Sequence, residues 1–238
     1  MLLNSFILDS DVQSMASISE LVNNPEPIRV NFDRQLKRVQ RDVLRMGALV
    51  ETSCQLARQA MFERDLEAAD QIIVADREID ALYRQIELDC VNMIALQSPV
   101  ARDLRLLSAL MQLVRDIERI GDYAKNLGEV SVRLFPYEVQ PQMSQIRTMF
   151  DRCRAMLATG LKALSDLDGK SAEDMQILDD AVDSDYENLY TLLTQKTELQ
   201  GSIEPIVLMV LAIRHIERMA DHSTNIGKRV SYIVTGER

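Results

Sequence analysis

The sequence predicts an all-α protein made of two tandem, pseudo-symmetric three-helix bundles, with six long antiparallel helices. From Asn31 onward, apolar residues recur at steps of three and four, which is the spacing of one face of a helix. The composition agrees, because 8 Gly, 6 Pro, 5% aromatic residues and no Trp leave few turn residues and few strand formers. The same order of elements then occurs twice along the chain, which predicts two similar bundles.

The internal repeat is clearest near the end of each half. The stretch from Arg115 to Asn126 recurs as Arg214 to Asn225, an offset of 214 − 115 = 99 residues. Arg, Ile, Glu, Arg, Asp and Asn stand at matching places in the two copies. We therefore expect an N-terminal extension over residues 1–30, a first bundle over 31–135 and a second bundle over 136–238.

Helix boundaries follow from breakers and capping residues. The cluster around Pro25 and Pro27 is interpreted as a break, with a short helix before it over residues 11–21. Asp65 is the expected N-cap of the second helix, and Ser98 with Pro99 the expected start of the third. The six long helices are expected over residues 31–64, 66–97, 99–132, 141–165, 172–199 and 202–235, the last with Pro205 in its first turn.

Charge and cysteine content limit the classes of function. A net charge of −10 argues against general nucleic-acid binding and favours cations or basic protein surfaces as partners. Cys54, Cys90 and Cys153 are far apart and lie on helical apolar stripes, so we expect buried free thiols in a reducing compartment. The longest apolar run, residues 206–213, is too short to span a bilayer, and the N-terminus has no basic stretch typical of a signal peptide. A cytoplasmic protein is expected.

Paired carboxylates are the main candidate for chemistry. Each copy of the repeated stretch has acids four residues apart, which stack on one helix face: Glu118 with Asp122, and Glu217 with Asp221. The preceding helix of each half carries a second such pair, and these two pairs are related by 179 − 76 = 103 residues: Asp76 with Asp80, and Asp179 with Asp183. Such oxygen ligands favour Mg²⁺, Mn²⁺, Ca²⁺ or iron over zinc.

Two interpretations of these acids stay open on spacing alone. An arginine stands three residues before each acid of the repeated stretch, so the acids could simply form ion pairs on a solvated face; these arginines are Arg115, Arg119, Arg214 and Arg218. The recurrence of the acids in both halves favours a metal or partner site instead. His222, beside Asp221, is interpreted as a surface histidine, with a nitrogen ligand as the alternative.

These residues resemble the PhoU family of phosphate-signalling proteins. The family's hallmark is a repeated Glu/Asp-x-x-x-Asp motif, which occurs here from Glu118 to Asp122 and from Glu217 to Asp221. Supporting motifs are Pro-Val-Ala-Arg-Asp-Leu-Arg at residues 99–105, the segment 76–83, the pattern at 221–225 and the closing segment 232–236. The chain departs from the family before Arg214, where residues 201–205 replace the second Pro-Val-Ala-Arg-Asp-Leu-Arg motif.

The resemblance implies a non-enzymatic adaptor that represses the phosphate-starvation response when phosphate is plentiful. Its expected partners are the ATPase of the phosphate ABC transporter and a phosphate-sensing histidine kinase, and a homodimer is expected. The family also implies Fe, Mn or Mg ions on the acidic motifs. Carried over by position, the implied ligands are Glu118, Asp122, Glu217 and Asp221, with Asp76, Asp80, Asp179 and Asp183 beside them, and the supporting residues are the four arginines with Asn126 and Asn225.

Two other classes of function remain as alternatives. A carboxylate-bridged diiron enzyme in a helical bundle typically uses Glu-x-x-His ligands. Here Gly121 and Ala220 stand where the histidines would be, which disfavours the hypothesis of a diiron enzyme. The second alternative is a purely structural helical scaffold whose acids are only solvated.

Overall fold

The structure, a computed structural model, describes residues 25–195 and 201–237. It contains six α-helices, numbered α1 to α6 in chain order: Pro25–Arg58, Leu66–Gln97, Ala101–Leu134, Met143–Asp166, Ser171–Thr194 and Glu204–Thr235. No strand occurs in the described residues. The predicted all-α fold with six long helices is confirmed.

Contacts divide the chain after Val39 into a unit of residues 1–39 and a unit of residues 40–238. In the first unit, the start of α1 carries an ion pair between Arg29 and Asp33 at 3.1 Å. All packing described below lies in the second unit. The expected boundary between residues 135 and 136 stays a prediction, and the short helix expected over 11–21 lies outside the described residues.

Glycines mark where the helices of each half approach one another. A Cβ on Gly121 of α3 would lie 3.4 Å from Ile79 Cδ1 of α2 and 3.5 Å from Val50 Cγ2 of α1. A Cβ on Gly160 of α4 would lie 3.2 Å from Ile226 Cγ2 of α6, and α5 also approaches this glycine. Helices α1 to α3 therefore meet around one glycine and helices α4 to α6 around another, and an extensive α3–α6 contact joins the two groups.

Some predicted helix boundaries are confirmed. Asp65 caps α2, since its carboxylate accepts hydrogen bonds from the backbone N–H groups of Glu67 and Ala68 at 3.0 and 3.2 Å. Pro205 lies in the first turn of α6 as expected. All three cysteines are buried free thiols, and burial raises the pKa of Cys54 and of Cys90 to about 12.

Other boundary predictions are wrong for local reasons. Pro25 begins α1 instead of breaking the chain, because proline suits a first turn whose N–H groups need no helical partner. Ser98 closes α2 instead of capping α3: its φ is 44° and its N–H bonds to the Ile94 carbonyl at 3.1 Å. Helix α3 then begins after Val100.

Two further ends differ from the prediction. The α-helical part of α1 stops at Arg58 and continues as a π-helical turn, Gln59–Glu63, before Arg64 turns into the left-handed region. Helix α5 ends at Thr194, and residues 196–200, into which it was expected to extend, lie outside the described residues. Among the described helices, none combines the length and the apolar character that crossing a bilayer requires.

Candidate functional site

The predicted acids form two groups, one on each pair of neighbouring helices. The first acid cluster is Asp76 and Asp80 of α2 with Glu118 and Asp122 of α3. The second acid cluster is Asp179 and Asp183 of α5 with Glu217 and Asp221 of α6. In each cluster, the spacing of four residues puts two carboxylates on one helix face, and packing of the helix pair brings the two faces together.

Glu118 lies at the centre of the first acid cluster. It is half-buried, and burial raises the pKa of its carboxyl. The carboxylates of Asp122 and Asp80 raise it further, whereas Arg119 opposes the rise. The acids of α2 and α3 therefore share one electrostatic environment, as the facing positions predict.

Lys125 of α3 enters the first acid cluster. Its Nζ lies 2.7 Å from Asp76 Oδ2, and the Lys125 side chain is only 33% exposed. The hydrogen bond to Asp76 raises the pKa of Lys125, and the charges of Asp122 and Asp80 add to that effect. The ammonium group thus acts on three of the four acids as a tethered counter-ion.

In the second acid cluster, three of the four carboxyls have a raised pKa. Burial raises the pKa of Asp179, and Asp183 and Asp221 raise it further, against the effects of Thr224 and Lys228. Burial also raises the pKa of Glu217, again with Asp221 and Asp183 adding to the rise. At the exposed rim, partial desolvation and then the charge of Asp221 raise the pKa of Asp183.

Three oxygens in or beside the second acid cluster are buried without a hydrogen-bond partner in the described part of the chain. They are Asp179 Oδ1, Glu217 Oε2 and the hydroxyl of Thr224, a residue that is 3% exposed. The Thr224 hydroxyl is near enough to Asp179 to lower the pKa of that carboxyl, but the pair does not reach hydrogen-bond geometry. Buried polar atoms are normally satisfied, but atoms without a partner also occur elsewhere in the described residues, for example Ser53 Oγ and Arg154 Nε.

Most of the predicted intrahelical arginine pairs form. Arg119 contacts Asp122 at 3.1 Å, and Arg218 contacts Asp221 at 3.2 Å. Arg214 contacts Glu217 at 2.7 Å. Within the described residues no ion pair joins Arg115 to Glu118, although the spacing predicted one. The three arginines that do pair are exposed, so each contact contributes little to stability.

The carboxylates are neighbours but do not form a ready coordination sphere. Across the described residues, no group of three or more His, Cys, Asp or Glu side chains is arranged to hold a metal ion. The donor set suits a hard divalent ion, and the partnerless oxygens of the second acid cluster fit such a ligand better than the lysine-filled first one does.

Both histidines lie at the interface between α3 and α6. His222 therefore faces α3 and is not placed as a ligand beside Asp221. His222 is half-buried, and its Nδ1 lies 2.9 Å from Asp116 Oδ1. Asn225 donates to the same oxygen at 3.3 Å, so this supporting residue serves the interface. The Tyr123 ring faces both histidines, with centroid distances of 5.7 Å to His215 and 5.9 Å to His222. The interpretation of His222 as a surface histidine is therefore wrong.

The other supporting asparagine, Asn126, is half-buried on α3.

Comparison with known proteins shows the family. The PhoU domain model matches residues 43–131 and 146–230, so each match contains one acid cluster. The chain belongs to the PhoU family. A Synechocystis homologue of the PhoU accessory protein of the phosphate-specific transport system is 52% identical over 223 residues, which cover 94% of this chain and 99% of the relative.

Solved PhoU structures have the same fold. The crystal structure of PhoU from Pseudomonas aeruginosa has a TM-score of 0.81 at 29% identity and covers 87% of this chain and 100% of that one. The PhoU regulatory protein from Streptococcus pneumoniae has a TM-score of 0.80 at 30% identity, with 87% and 98% covered. Family membership, expected from the repeated acidic motif, is confirmed.

Sequence reasoning within this PhoU chain missed two residues of the site. Lys125 and Thr224 occupy the same place in the two repeats, since 224 − 125 = 99, yet one is a cation and the other is neutral. The comparison of the repeats contained this signal. The residues that the two copies share do not show it, because it lies at a position where the copies differ.

Proposed function

We propose that the protein is a regulatory adaptor of a phosphate transport system, and that it restrains phosphate uptake and the phosphate-starvation response when phosphate is plentiful. The observation that carries the proposal is the 52% identity, across nearly the full length of both chains, to a homologue of a phosphate-transport accessory protein. The related Streptococcus chain is described as a phosphate transport system regulatory protein. These relatives are named for accessory and regulatory roles, which favours a non-enzymatic function.

The proposed partners are the transporter's ATPase and a sensor histidine kinase at the cytoplasmic side of the membrane. A net charge of −10 suits docking to basic protein surfaces, and it disfavours nucleic acid as a partner. The proposed bundles, residues 31–135 and 136–238, would offer related surfaces to these partners. Homodimer formation stays a prediction, and light scattering on the purified protein tests it.

Metal binding is the second part of the proposal. The acids of the two clusters would hold divalent or iron ions, with Fe, Mn and Mg as the candidates, and the arginines on the same helices would limit the net negative charge. A bound ion would neutralise carboxylates that now repel one another. It would thereby tie α2 to α3, or α5 to α6. The residues proposed to hold it are the eight acids already defined as the first and second acid clusters.

The adaptor role can be tested by complementation. A strain that lacks the gene should express its starvation-response reporter in high phosphate, and the wild-type gene should restore repression. The double variant Glu118→Gln with Glu217→Gln should fail to restore it if the acid clusters carry the function. A matched control is Asp70→Asn with Asp174→Asn, since both residues are exposed on α2 and α5 outside the clusters.

The outcomes separate the parts of the proposal. An unchanged reporter after deletion of the gene would contradict the adaptor role itself. Full repression by the double variant would leave the adaptor role intact and remove the acids from it. Co-purification of the protein with the ATPase and with the kinase, in low and high phosphate, then distinguishes which partner it contacts.

A further inference from the structure

A cavity lies where the first three helices connect to the last three. Its walls are the π-helical turn that follows α1, the end of α3, the first turn of α4 and the connection over residues 135–142. Its volume is about 190 Å³. An apolar cavity of about 150 Å³ is large enough for a benzene ring. Among the described residues that line the cavity, none belongs to an acid cluster.

The wall formed by the π-helical turn has an unusual backbone. Such turns are rare in helices and occur frequently at functional sites. This one ends at Arg64, whose φ of 60° places a residue other than glycine in the left-handed region. That conformation is costly and persists only where the surrounding structure fixes it. Arg64 is fixed by its own side chain, which donates to the backbone carbonyls of Phe135 and Tyr137, the second at 3.0 Å.

The connection that closes the cavity is also tied to α6. The Tyr137 hydroxyl donates to Glu204 Oε2 at 2.7 Å, and the Arg133 guanidinium donates to Glu204 Oε1 at 2.8 Å. Arg64 holds the same connection from the other side, with its guanidinium 4.8 Å from the centre of the Phe135 ring. The cavity is therefore formed before any ligand enters, which is typical of sites for small molecules.

The lining combines apolar walls with unpaired positive charge. Arg64 and Arg147 are its basic residues, and the exposed Glu138 is its acid. Arg64 donates to backbone carbonyls, and Arg147 has no hydrogen bond or ion pair within the part of the chain that the structure describes. The first turn of α4 adds the positive end of that helix's dipole. The apolar walls are formed by Met61, Phe62, Leu134, Phe135, Val139 and Met143.

We propose that this cavity binds a small organic anion, whose apolar ring or chain fills the cavity and whose carboxylate lies against Arg147 and Arg64. Guanidinium groups recognise carboxylates by paired, charge-assisted hydrogen bonds. The volume suits an apolar body of roughly six to ten non-hydrogen atoms. A bound anion would contact the end of α3 and the start of α4 together, and would thereby stabilise the connection between the two halves.

A series of ligands that differ only in charge tests the proposal. The probes are phenylpropionate, phenylpropanol and phenylpropylamine, each titrated into the full-length protein and followed by ligand-observed NMR. At the usual affinity per atom, phenylpropionate should bind with a dissociation constant of about 4 mM or lower. It should bind at least about fivefold more tightly than the alcohol, and the amine should bind most weakly. Inorganic phosphate should not compete, because it has no apolar body.

A matched pair of arginine variants separates the local charge from the overall charge. Arg147→Gln should weaken phenylpropionate binding by at least about threefold and change phenylpropanol binding by less than about twofold. The control is Arg77→Gln, which removes the same charge from an exposed position of α2 outside the cavity. It should leave both affinities unchanged. The net charge of −10 disfavours anions elsewhere on the surface, so a preference for the anion reports on this cavity.

A fluorescent reporter places the binding site. The chain has no tryptophan, so Val139→Trp would introduce a single one beside the cavity. Its emission should change when phenylpropionate binds. The control is Val74→Trp on α2, because Val74 and Val139 are 68% and 66% exposed. Both positions are open to solvent, so both variants should fold, and circular dichroism checks this.

Four results would overturn the inference. The first is no binding of phenylpropionate up to about 20 mM, several times the expected dissociation constant. The second is equal affinity for the alcohol or the amine, which would leave an apolar cavity without a role for the arginines. The third is an equal loss of binding in Arg147→Gln and Arg77→Gln. The fourth is an equal change of emission in Val139→Trp and Val74→Trp, which would place binding elsewhere. None of these results bears on the adaptor role, which the reporter experiment tests.

Discussion

The two acid clusters have the same four acids at equivalent positions, but their charges are compensated differently. In the first, Lys125 reaches from α3 to Asp76 on α2 and forms a short, partly buried ion pair. In the second, Thr224 stands at the equivalent position, and buried oxygens of Asp179 and Glu217 have no hydrogen-bond partner in the described residues. A duplicated motif can therefore keep its acids while neighbouring positions change how their charge is compensated.

The largest contrast is expected from removing one carboxylate in each cluster, without divalent cations. Asp76→Asn should lower the free energy of unfolding by about 2 kcal/mol, because Lys125 loses its charged partner. Asp179→Asn should leave the free energy of unfolding unchanged or raise it by up to about 0.5 kcal/mol, because the change removes a partly buried charge and its repulsion by Asp183 and Asp221. Urea unfolding measures both, with Asp70→Asn as the control. Equal destabilisation by the two changes would contradict the difference between the clusters.

The interface of α3 with α6 offers the next largest effect. Asp116 and His215 are equivalent in the repeat, since 215 − 116 = 99. Asp116, which is 8% exposed, accepts hydrogen bonds from both His222 and Asn225, so Asp116→Ala should cost about 1.5 kcal/mol of unfolding free energy. His215→Ala should cost about 1 kcal/mol, since it removes a ring contact with Tyr123. Thermal unfolding ranks the two; the reverse order would show that the ring contacts dominate this interface.

The pH dependence of stability should come mainly from the second acid cluster. The pKa values of Asp179, Asp183 and Glu217 are raised above their ordinary values of 3.8 and 4.5, and that of Glu118 in the first cluster is raised as well. A raised carboxyl pKa means that the folded state binds protons more readily than the unfolded state. Its stabilising contribution is complete below the unfolded value and is lost as the pH rises through the folded value.

The corresponding substitutions should flatten this dependence to different degrees. Changing Asp179, Asp183 and Glu217 to amides should reduce the loss of unfolding free energy with rising pH by up to about 1 kcal/mol, after allowing for solvent screening. Glu118→Gln should reduce that loss by less. Urea midpoints between about pH 4 and 7, measured in chelator, provide the comparison. A larger effect from Glu118→Gln would show that repulsion is concentrated in the first cluster.

The smallest effect is expected from the exposed arginines that the two clusters have in common. Arg119→Gln and Arg218→Gln should each change the free energy of unfolding by less than about 0.5 kcal/mol, because their intrahelical ion pairs are solvated. The two values should also agree with each other, since both pairs have nearly the same geometry, at 3.1 and 3.2 Å. If either substitution lowered the free energy of unfolding by more than about 1 kcal/mol, the result would favour the interpretation of the acids as part of an arginine-paired face.

Sequence reasoning predicted the features that depend on neighbours along the chain. The stacked acids, the Asp65 cap and the buried cysteines follow from helical periodicity and local hydrogen bonding. Boundaries were wrong where a residue type is compatible with two roles. Ser98 could cap one helix or end another, and Pro25 could break a helix or begin one. Local preference does not choose between such roles, because the energy differences are small.

The sequence by itself determined an all-α chain of six helices, its internal repeat, its family and the acids that the repeats share. Only the tertiary structure decided how those acids are compensated. Lys125 and Asp76 are 49 residues apart, and His222 and Asp116 are 106 residues apart. Such contacts depend on how far each helix is rotated and shifted against its partner, which packing of side chains over the whole interface sets. The sequence shows that Lys125 and Thr224 differ between the two repeats, but only the folded chain shows that Lys125 reaches Asp76.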